Sequence, residues 1–247
     1  MVVLVYVDGL LIIGDDPLLI QETKANLQQS FKITDLGALK YFLGIKFARG
    51  NDGILMHQRK YALELISDLG LSRAKPIGAP FKLNQRLTTI EFDFHFGAHD
   101  DPPLDDPGPY QRLLGRLLYL TITMLDIEFD VQCLSQFMHS PKYSHLEAAL
   151  RLVRYVKQAP GQRILMSSTF EFHLHAYCDA DWVVFPNTRH SITDYCKVWK
   201  FISVLEIQKI VHYFQSFIAV EFRSLASTVT EIVWLVWLFK ELVVDIQ

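Results

Sequence analysis

Met1-Val-Val-Leu-Val-Tyr-Val-Asp-Gly-Leu-Leu-Ile-Ile-Gly14 opens the chain, and its reading decides the rest. Two apolar runs flank the tetrad Tyr6-Val7-Asp8-Gly9. Each run is rich in Val, Leu and Ile and has the length of a buried strand. One carboxylate, Asp8, lies between them. Asp8-Gly9 suits a two-residue type I′ connection. The plain reading is an apolar β-hairpin with a single acid at its tip.

Composition sets the frame around that hairpin. The chain has 247 residues, enough for one large domain or two small ones. Half of it is hydrophobic, so a sizeable core is expected. The formal net charge is -3, a poor fit to strong nucleic-acid binding, where Lys and Arg contacts to phosphate supply most of the affinity. Cys133, Cys178 and Cys196 match neither a zinc pattern nor a disulfide framework, which points to a reducing compartment, cytoplasm or nucleus. No segment has the anatomy of a signal peptide. The late apolar run Ile232 to Phe239 is too short to span a bilayer, so a soluble chain without membrane contact is expected. The chain opens inside a strand, which reads as a truncated N-terminus.

Asp16 is a good N-cap and Pro17 a good first helical residue. Leu19, Ile20, Thr23, Leu27 and Phe31 follow at helical spacing. Residues 41–48 read as a strand, Asn51-Asp52-Gly53 as a turn, and Ile54 to Gln58 as the returning strand. A helix to Leu71 puts Ala62, Leu65, Ile66 and Leu69 on one face. Residues 82–109 carry Thr-Thr, several acids and four Pro, and read as a linker or long loop. Asp100, Asp101, Asp105 and Asp106 are read there as solvated linker acids rather than a metal cluster. Leu113, Leu114, Leu117, Leu118 and Leu120 make an apolar helical face. His145, at the head of the next helix, reads as a capping or packing residue. Near Ser167 the composition shifts. Phe170 to Tyr177 alternates like a half-buried strand and runs into Cys178-Asp179-Ala180-Asp181-Trp182. Glu221 begins a helix with Leu225, Val229, Ile232 and Val236 on one side. By themselves, acids at a strand end or in a first helical turn are ordinary caps or dipole partners.

Together these stretches resemble the reverse transcriptase and RNase H of the Ty1/copia type of retrotransposon. Tyr6-Val7-Asp8-Gly9 is similar to the family's YVDD hairpin. Phe31 to Ile45 is similar to F-x-M-x-D-L-G-x-L-x-Y-F-L-G-I, and Thr123-Met-Leu-Asp-Ile127 stands where the family has T-R-P-D-I. Leu134-Ser-Gln-Phe-Met138, Pro141 and Arg154-Tyr-Val-Lys157 follow in family order. Asp179-Ala-Asp-Trp182 with Arg189 to Cys196 resembles D-A-D-W … R-x-S-T-S-G-Y-C, and Ala219 to Ala226 resembles E-A-E-Y-R-A-L-A. The resemblance implies an α+β fold in four parts. These are a partial palm and thumb over 1–81, the linker over 82–109, connection helices over 110–166, and an incomplete RNase H-like mixed sheet with helices over 167–247. It implies RNA-directed DNA synthesis and hydrolysis of RNA/DNA hybrids as the family's activities, a template-primer or hybrid as partner, and Mg²⁺ as cofactor. Carried over residue by residue, Asp8, Asp179 and Glu221 take the catalytic and metal-binding positions, with Asp181 as a further metal ligand. Hard carboxylates converging on Mg²⁺ suit phosphodiester chemistry.

The departures point one way. Gly9 replaces the second acid of the tetrad, Met124-Leu125 replaces Arg-Pro, and Asp194 replaces a Gly. Residues 200–217 keep only Phe201-Ile-Ser203, with Val204 in place of Trp, and Gln247 is reached before the D-N motif. A chain defective as a polymerase is expected. Residual metal-dependent RNase H and a non-catalytic hybrid-binding domain stay open as alternatives.

Overall fold

The structure is a computed structural model that describes residues 1–7, 9–82, 87–97, 100–168, 174–181, 191–199, 202–210 and 217–241. Strands β1 (Val2–Tyr6) and β2 (Gly9–Ile13) pair antiparallel, with Tyr6 opposite Gly9 and Val2 opposite Ile13. That register corrects the expected turn by one residue: the connection falls at positions 7 and 8, and Gly9 is the first residue of β2. Pairing this way matches the two five-residue apolar runs end to end. Its cost is local, since Val7 takes a φ of 35°, a region that β-branched residues rarely enter. Helix α1 (Pro17–Ser30) starts as its sequence predicts. The Asp16 carboxylate accepts from the Leu18 and Leu19 amides at 2.8 and 3.4 Å.

Strands β3 (Tyr41–Phe42), β4 (Ile45–Gly50) and β5 (Gly53–His57) form an antiparallel meander. The expected single strand over 41–48 is broken at Leu43 and Gly44, whose φ values are +49° and +78°. Two consecutive positive-φ residues make a tight hairpin connection, so the chain reverses there instead of continuing. A fourth strand joins this sheet from far downstream, as described below.

Helix α2 (Arg59–Asp68) buries Ala62, Leu65 and Ile66. The segment read as a linker contains a helix, α3 (Ile90–Phe96), capped by the Thr89 hydroxyl, which accepts from the Phe92 amide at 3.3 Å. Leu87 of that segment is buried in the main core. Helices α4 (Gly108–Leu120), α5 (Glu128–Ser135) and α6 (Tyr143–Val156) complete the core with α2. Leu114, Leu117, Leu120, Leu134 and Leu152 are fully buried there. Each such side chain contributes about 1.5–3 kcal/mol by leaving water. The core therefore joins residues from 62 to 156 in one cluster.

After α6 the chain returns as β6 (Arg163–Ser167), which pairs antiparallel with β5 and completes a sheet of order β3-β4-β5-β6. The last segment contributes β7 (Leu174–Asp181), β8 (Ser191–Trp199) and β9 (Ile202–Ile210), followed by α7 (Phe217–Glu241). Helix α7 lies along β7 and β8, while β9 lies against α5 and β6. The architecture is α+β. Among the described residues every strand pair is antiparallel, so the mixed pairing expected of the last sheet is not found there. The reason is local: β7, β8 and β9 follow one another through connections too short for the crossover a parallel pair requires. No helix among the described residues is long and apolar enough to cross a membrane.

Candidate functional site

The tip of the β1–β2 hairpin rests against the start of β3. A Cβ built on Gly9 would stand 3.4 Å from Phe42 Cε2, and Gly9 has no positive φ. The backbone at position 9 therefore admits an ordinary side chain, and glycine is not required there by geometry. Asp8 itself lies outside the described residues.

Phenols and a guanidinium gather beside this tip. Tyr61 meets Tyr119 edge to face, with ring centroids 5.1 Å apart, and Arg116 lies over the Tyr61 ring at 5.6 Å. Burial raises the Tyr119 hydroxyl above its ordinary range. A hydrogen bond with Gln58 opposes this, and Tyr61, Tyr41 and Tyr6 add to it. Three tyrosines, from β1, β3 and α2, thus sit within electrostatic reach of Tyr119 in α4. Gln58 fixes the arrangement from below. It is buried between β5 and α2, its Nε2 donates to the Tyr119 carbonyl at 3.0 Å, and its Oε1 accepts from the Thr123 hydroxyl at 2.8 Å. Sequence reading placed Gln58 at a strand end and missed this role, because the signal is a satisfied buried amide visible only once α4 is in place.

A second polar centre ties the acid- and Pro-rich segment to α6. Lys142 is 1% exposed, and its ammonium donates to Asp93, to the Thr88 hydroxyl at 3.0 Å, and pairs with Asp101 at 3.0 Å. Asp101 also accepts from the Ser144 amide at 3.1 Å. Burial pulls the Asp93 and Asp101 carboxyls upward, but their hydrogen bonds with Lys142, Thr88 and Ser144 outweigh it and hold both below the usual carboxylate range. His145 completes the centre. Its Nδ1 accepts from the Lys142 amide at 3.0 Å, its Nε2 donates to the Thr88 carbonyl at 3.2 Å, and its ring stacks on Phe137. Burial and the Lys142 charge push its pKa down to about 4. His145 is thus the cap and packing residue its position predicts. Asp101, part-exposed itself, pairs with the buried Lys142 rather than standing as a free linker acid, which no local sequence pattern signals. No cluster of three or more His, Cys, Asp or Glu able to hold a metal ion occurs among the described residues.

Of the remaining site candidates, Asp179 and Asp181 occupy β7, in register with Asp194 and Ile192 of β8. Glu221 is the fifth residue of α7, the helix that lies along β7. The fold brings these elements together; the three side chains lie outside the described residues.

Residues 1–83 match the reverse transcriptase (RNA-dependent DNA polymerase) family. The chain is 35% identical over 246 residues to the retrovirus-related Pol polyprotein from transposon RE1 of Arabidopsis thaliana, covering 97% of this chain and 16% of that protein. It is 28% identical to the corresponding polyprotein from transposon TNT 1-94 of Nicotiana tabacum, over 98% of this chain and 18% of the relative. A mitochondrial protein of Arabidopsis thaliana is 30% identical over 237 residues, covering 95% of this chain and 94% of its own length. The chain thus spans about a sixth of the polyproteins it matches. No solved structure matches it. With the hairpin, the Tyr41 to Ile45 turn and the helical block all falling within these alignments, the chain belongs to the copia-type retrotransposon Pol polyprotein family, as a reverse-transcriptase-like segment of it.

Proposed function

We propose that this chain engages an RNA/DNA hybrid or template-primer without carrying out nucleotidyl transfer itself. One observation carries the reading. The hairpin of the family's polymerase centre is retained strand for strand, yet position 9, where the family has an acid, is a glycine that the backbone does not require. A second metal-binding carboxylate has been lost while the scaffold that presents it has been kept. Paired Mg²⁺ ions need hard oxygen ligands, and Gly9 offers none. The donor set at the tip does not fit the pair, and no polymerase step is derived through it. The tyrosines beside the tip support contact with nucleic acid, since aromatic faces hold strands without reading sequence. Primer extension on an RNA template tests the reading. No extension by the unaltered chain is expected, and extension that depends on Asp8 would overturn it.

A second reading is favoured by a separate observation: α7, which carries Glu221, lies along β7, which carries Asp179 and Asp181. We infer residual RNase H activity with these three carboxylates as Mg²⁺ ligands. Bound Mg²⁺ would activate water against a phosphodiester. The chain's own contribution is to bring an acidic strand and an acidic helix side by side. Cleavage of an end-labelled hybrid in Mg²⁺ or Mn²⁺, lost in Asp179→Asn, is the expected result. Cleavage that persists in Asp179→Asn would assign it to another centre.

A further inference from the structure

The Lys142 centre fastens a surface segment to the core with little help from apolar contact. Residues 87–97 and 100–104 run over the corner where α5 gives way to α6. Among them Leu87 is the one buried hydrophobic side chain, with Leu104 half-buried against the same core. Helix α3 buries none of its side chains, and Phe94 and Phe96 are 76% and 74% exposed. The polar hold converges on residues 141–145. The Leu104 amide donates to the Pro141 carbonyl at 2.9 Å, and the Tyr143 amide donates to the Pro102 carbonyl at 3.3 Å. The Ser144 amide donates to Asp101, and the Lys142 ammonium gathers Thr88, Asp93 and Asp101. A segment held by so little apolar burial belongs to the part of a fold that opens locally, ahead of its core.

His145 lies at the middle of this hold and has no room for a second proton. It is fully buried. Its Nδ1 accepts from the Lys142 amide and its Nε2 donates to the Thr88 carbonyl, so both ring nitrogens are in use and the ring is neutral. A proton on Nδ1 would set N–H against N–H, undo the cap of α6, and place a positive charge beside the Lys142 ammonium. The charged groups that reach the ring are Lys142, at the head of its own helix, and Asp101 and Asp93, from the segment; the α5 side presents the Phe137 ring. Both acids already serve Lys142. Burial first, then Lys142, outweighs their pull and holds the ring's pKa to about 4. Freed into water, the imidazole returns to its ordinary value of about 6.5. The open segment therefore binds a proton that the closed one refuses, and opening gains as pH falls from about 6.5 to 4. Asp93 and Asp101, both held below the usual carboxylate range, stay charged across that window.

We propose that His145 is a proton-operated latch: the neutral ring bolts residues 87–97 and 100–104 to the α5–α6 corner, and proton uptake at Nδ1 frees them while α2, α4 and the rest of the core stay folded. Release uncovers the Phe137 ring face, the first amides of α6 and the place in the core that Leu87 fills. The latch is independent of the nucleic-acid reading above.

Hydrogen exchange between pH 7.5 and 4.5, with opening constants corrected for the intrinsic exchange rate, tests it. The amides of the segment are expected to open about tenfold more for each pH unit below 6.5, approaching about 300-fold near pH 4, and to show no trend above pH 7. The amides of α4 exchange through global unfolding and are expected to rise far less. Asp130 takes up a proton in the folded chain over much of the same range and offsets the one that His145 refuses. Equal opening constants for the segment and α4 at every pH would overturn the latch, since the segment would then open only with the core. His145→Gln keeps an N–H for the Thr88 carbonyl and removes the titration, so its segment is expected to open with no pH trend between 6.5 and 4.5. An undiminished rise in His145→Gln would place the proton elsewhere and overturn the assignment. Should that variant fail to fold, the slope in the unaltered chain decides: one proton per opening between pH 6 and 4.5 supports the latch, and a slope of zero overturns it.

Discussion

The helical block and the N-terminal hairpin are built from equally apolar sequence and end in opposite states. In the block, α2, α4, α5 and α6 bury their leucines completely and bring Leu87 in with them. In the hairpin, Val3, Leu4, Val5, Tyr6 and Leu10 are exposed, and α1 buries no residue at all. Local rules are satisfied in both: α1 has its cap and first-turn proline, and β1 and β2 pair in perfect alternation. Propensity and capping therefore build an element without giving it a core, and stability follows packing rather than element quality. The hairpin and α1 form a shell whose apolar faces meet few partners within this chain.

That contrast can be broken at Lys142. Lys142→Met would leave Asp93 and Asp101 without their buried partner, and breaking a buried pair from one side typically costs about 3–5 kcal/mol. A large drop in urea midpoint is expected, with hairpin amide exchange unchanged; a drop in both would mean that hairpin and block unfold as one. Leu117→Ala in the block is expected to cost about 2–5 kcal/mol, against less than about 0.5 kcal/mol for Val5→Ala in the hairpin. Comparable losses would show that the hairpin is packed more tightly than its exposure indicates.

Acid sharpens the same contrast, because the two strongly buried titrating groups, His145 and Asp130, lie in the block. His145 titrates near pH 4 in the folded chain, against an ordinary 6.5. The unfolded chain therefore takes up a proton that the folded chain refuses, and stability falls as pH drops from about 6.5 to 4, by up to about 3 kcal/mol. Asp130 opposes it. Burial and the nearby Asp126 push its pKa up to about 6, so the folded chain binds that proton first and gains stability as pH drops from about 6 to 4. Asp130→Asn is expected to stabilise the chain at pH 7 and to steepen its acid loss, read from denaturation midpoints at pH 7 and 4.5. An unchanged slope would remove Asp130 from the balance. The smallest expected effect lies in the hairpin itself. Val7→Gly relieves the positive φ and should stabilise it by about 1 kcal/mol, seen as slower local amide exchange.

Legibility follows the same division. The Asp16 cap, the apolar faces of α2 and α4 and the role of His145 could be read from the sequence because each depends on neighbours three or four residues away. The Leu43–Gly44 reversal was hidden, since a leucine at positive φ carries no composition signal. The pairing of Asp101 with the buried Lys142 was hidden for a different reason: the partners lie some 40 residues apart and look, one by one, like solvated charges. At the candidate site, residue identity was carried by motif resemblance, whereas the adjacency of β7 and α7 needed the fold.

The pairing of β5 with β6 has a consequence for how the protein is made. Residues 53–57 emerge from the ribosome long before 163–167, the strand that completes their sheet, and α2 emerges before α4 and α6, the helices that cover it. The stretch that matches the reverse transcriptase family, residues 1–83, ends before the strand that completes its sheet and the helices that cover α2. A nascent chain of that length holds an open sheet edge and a bare apolar helix face, the kind of surface on which chaperones act and aggregates nucleate. The end of the family match at residue 83 and the end of the packed core at residue 156 fall at different places in this chain, and dissection of the protein at the first would sever the second.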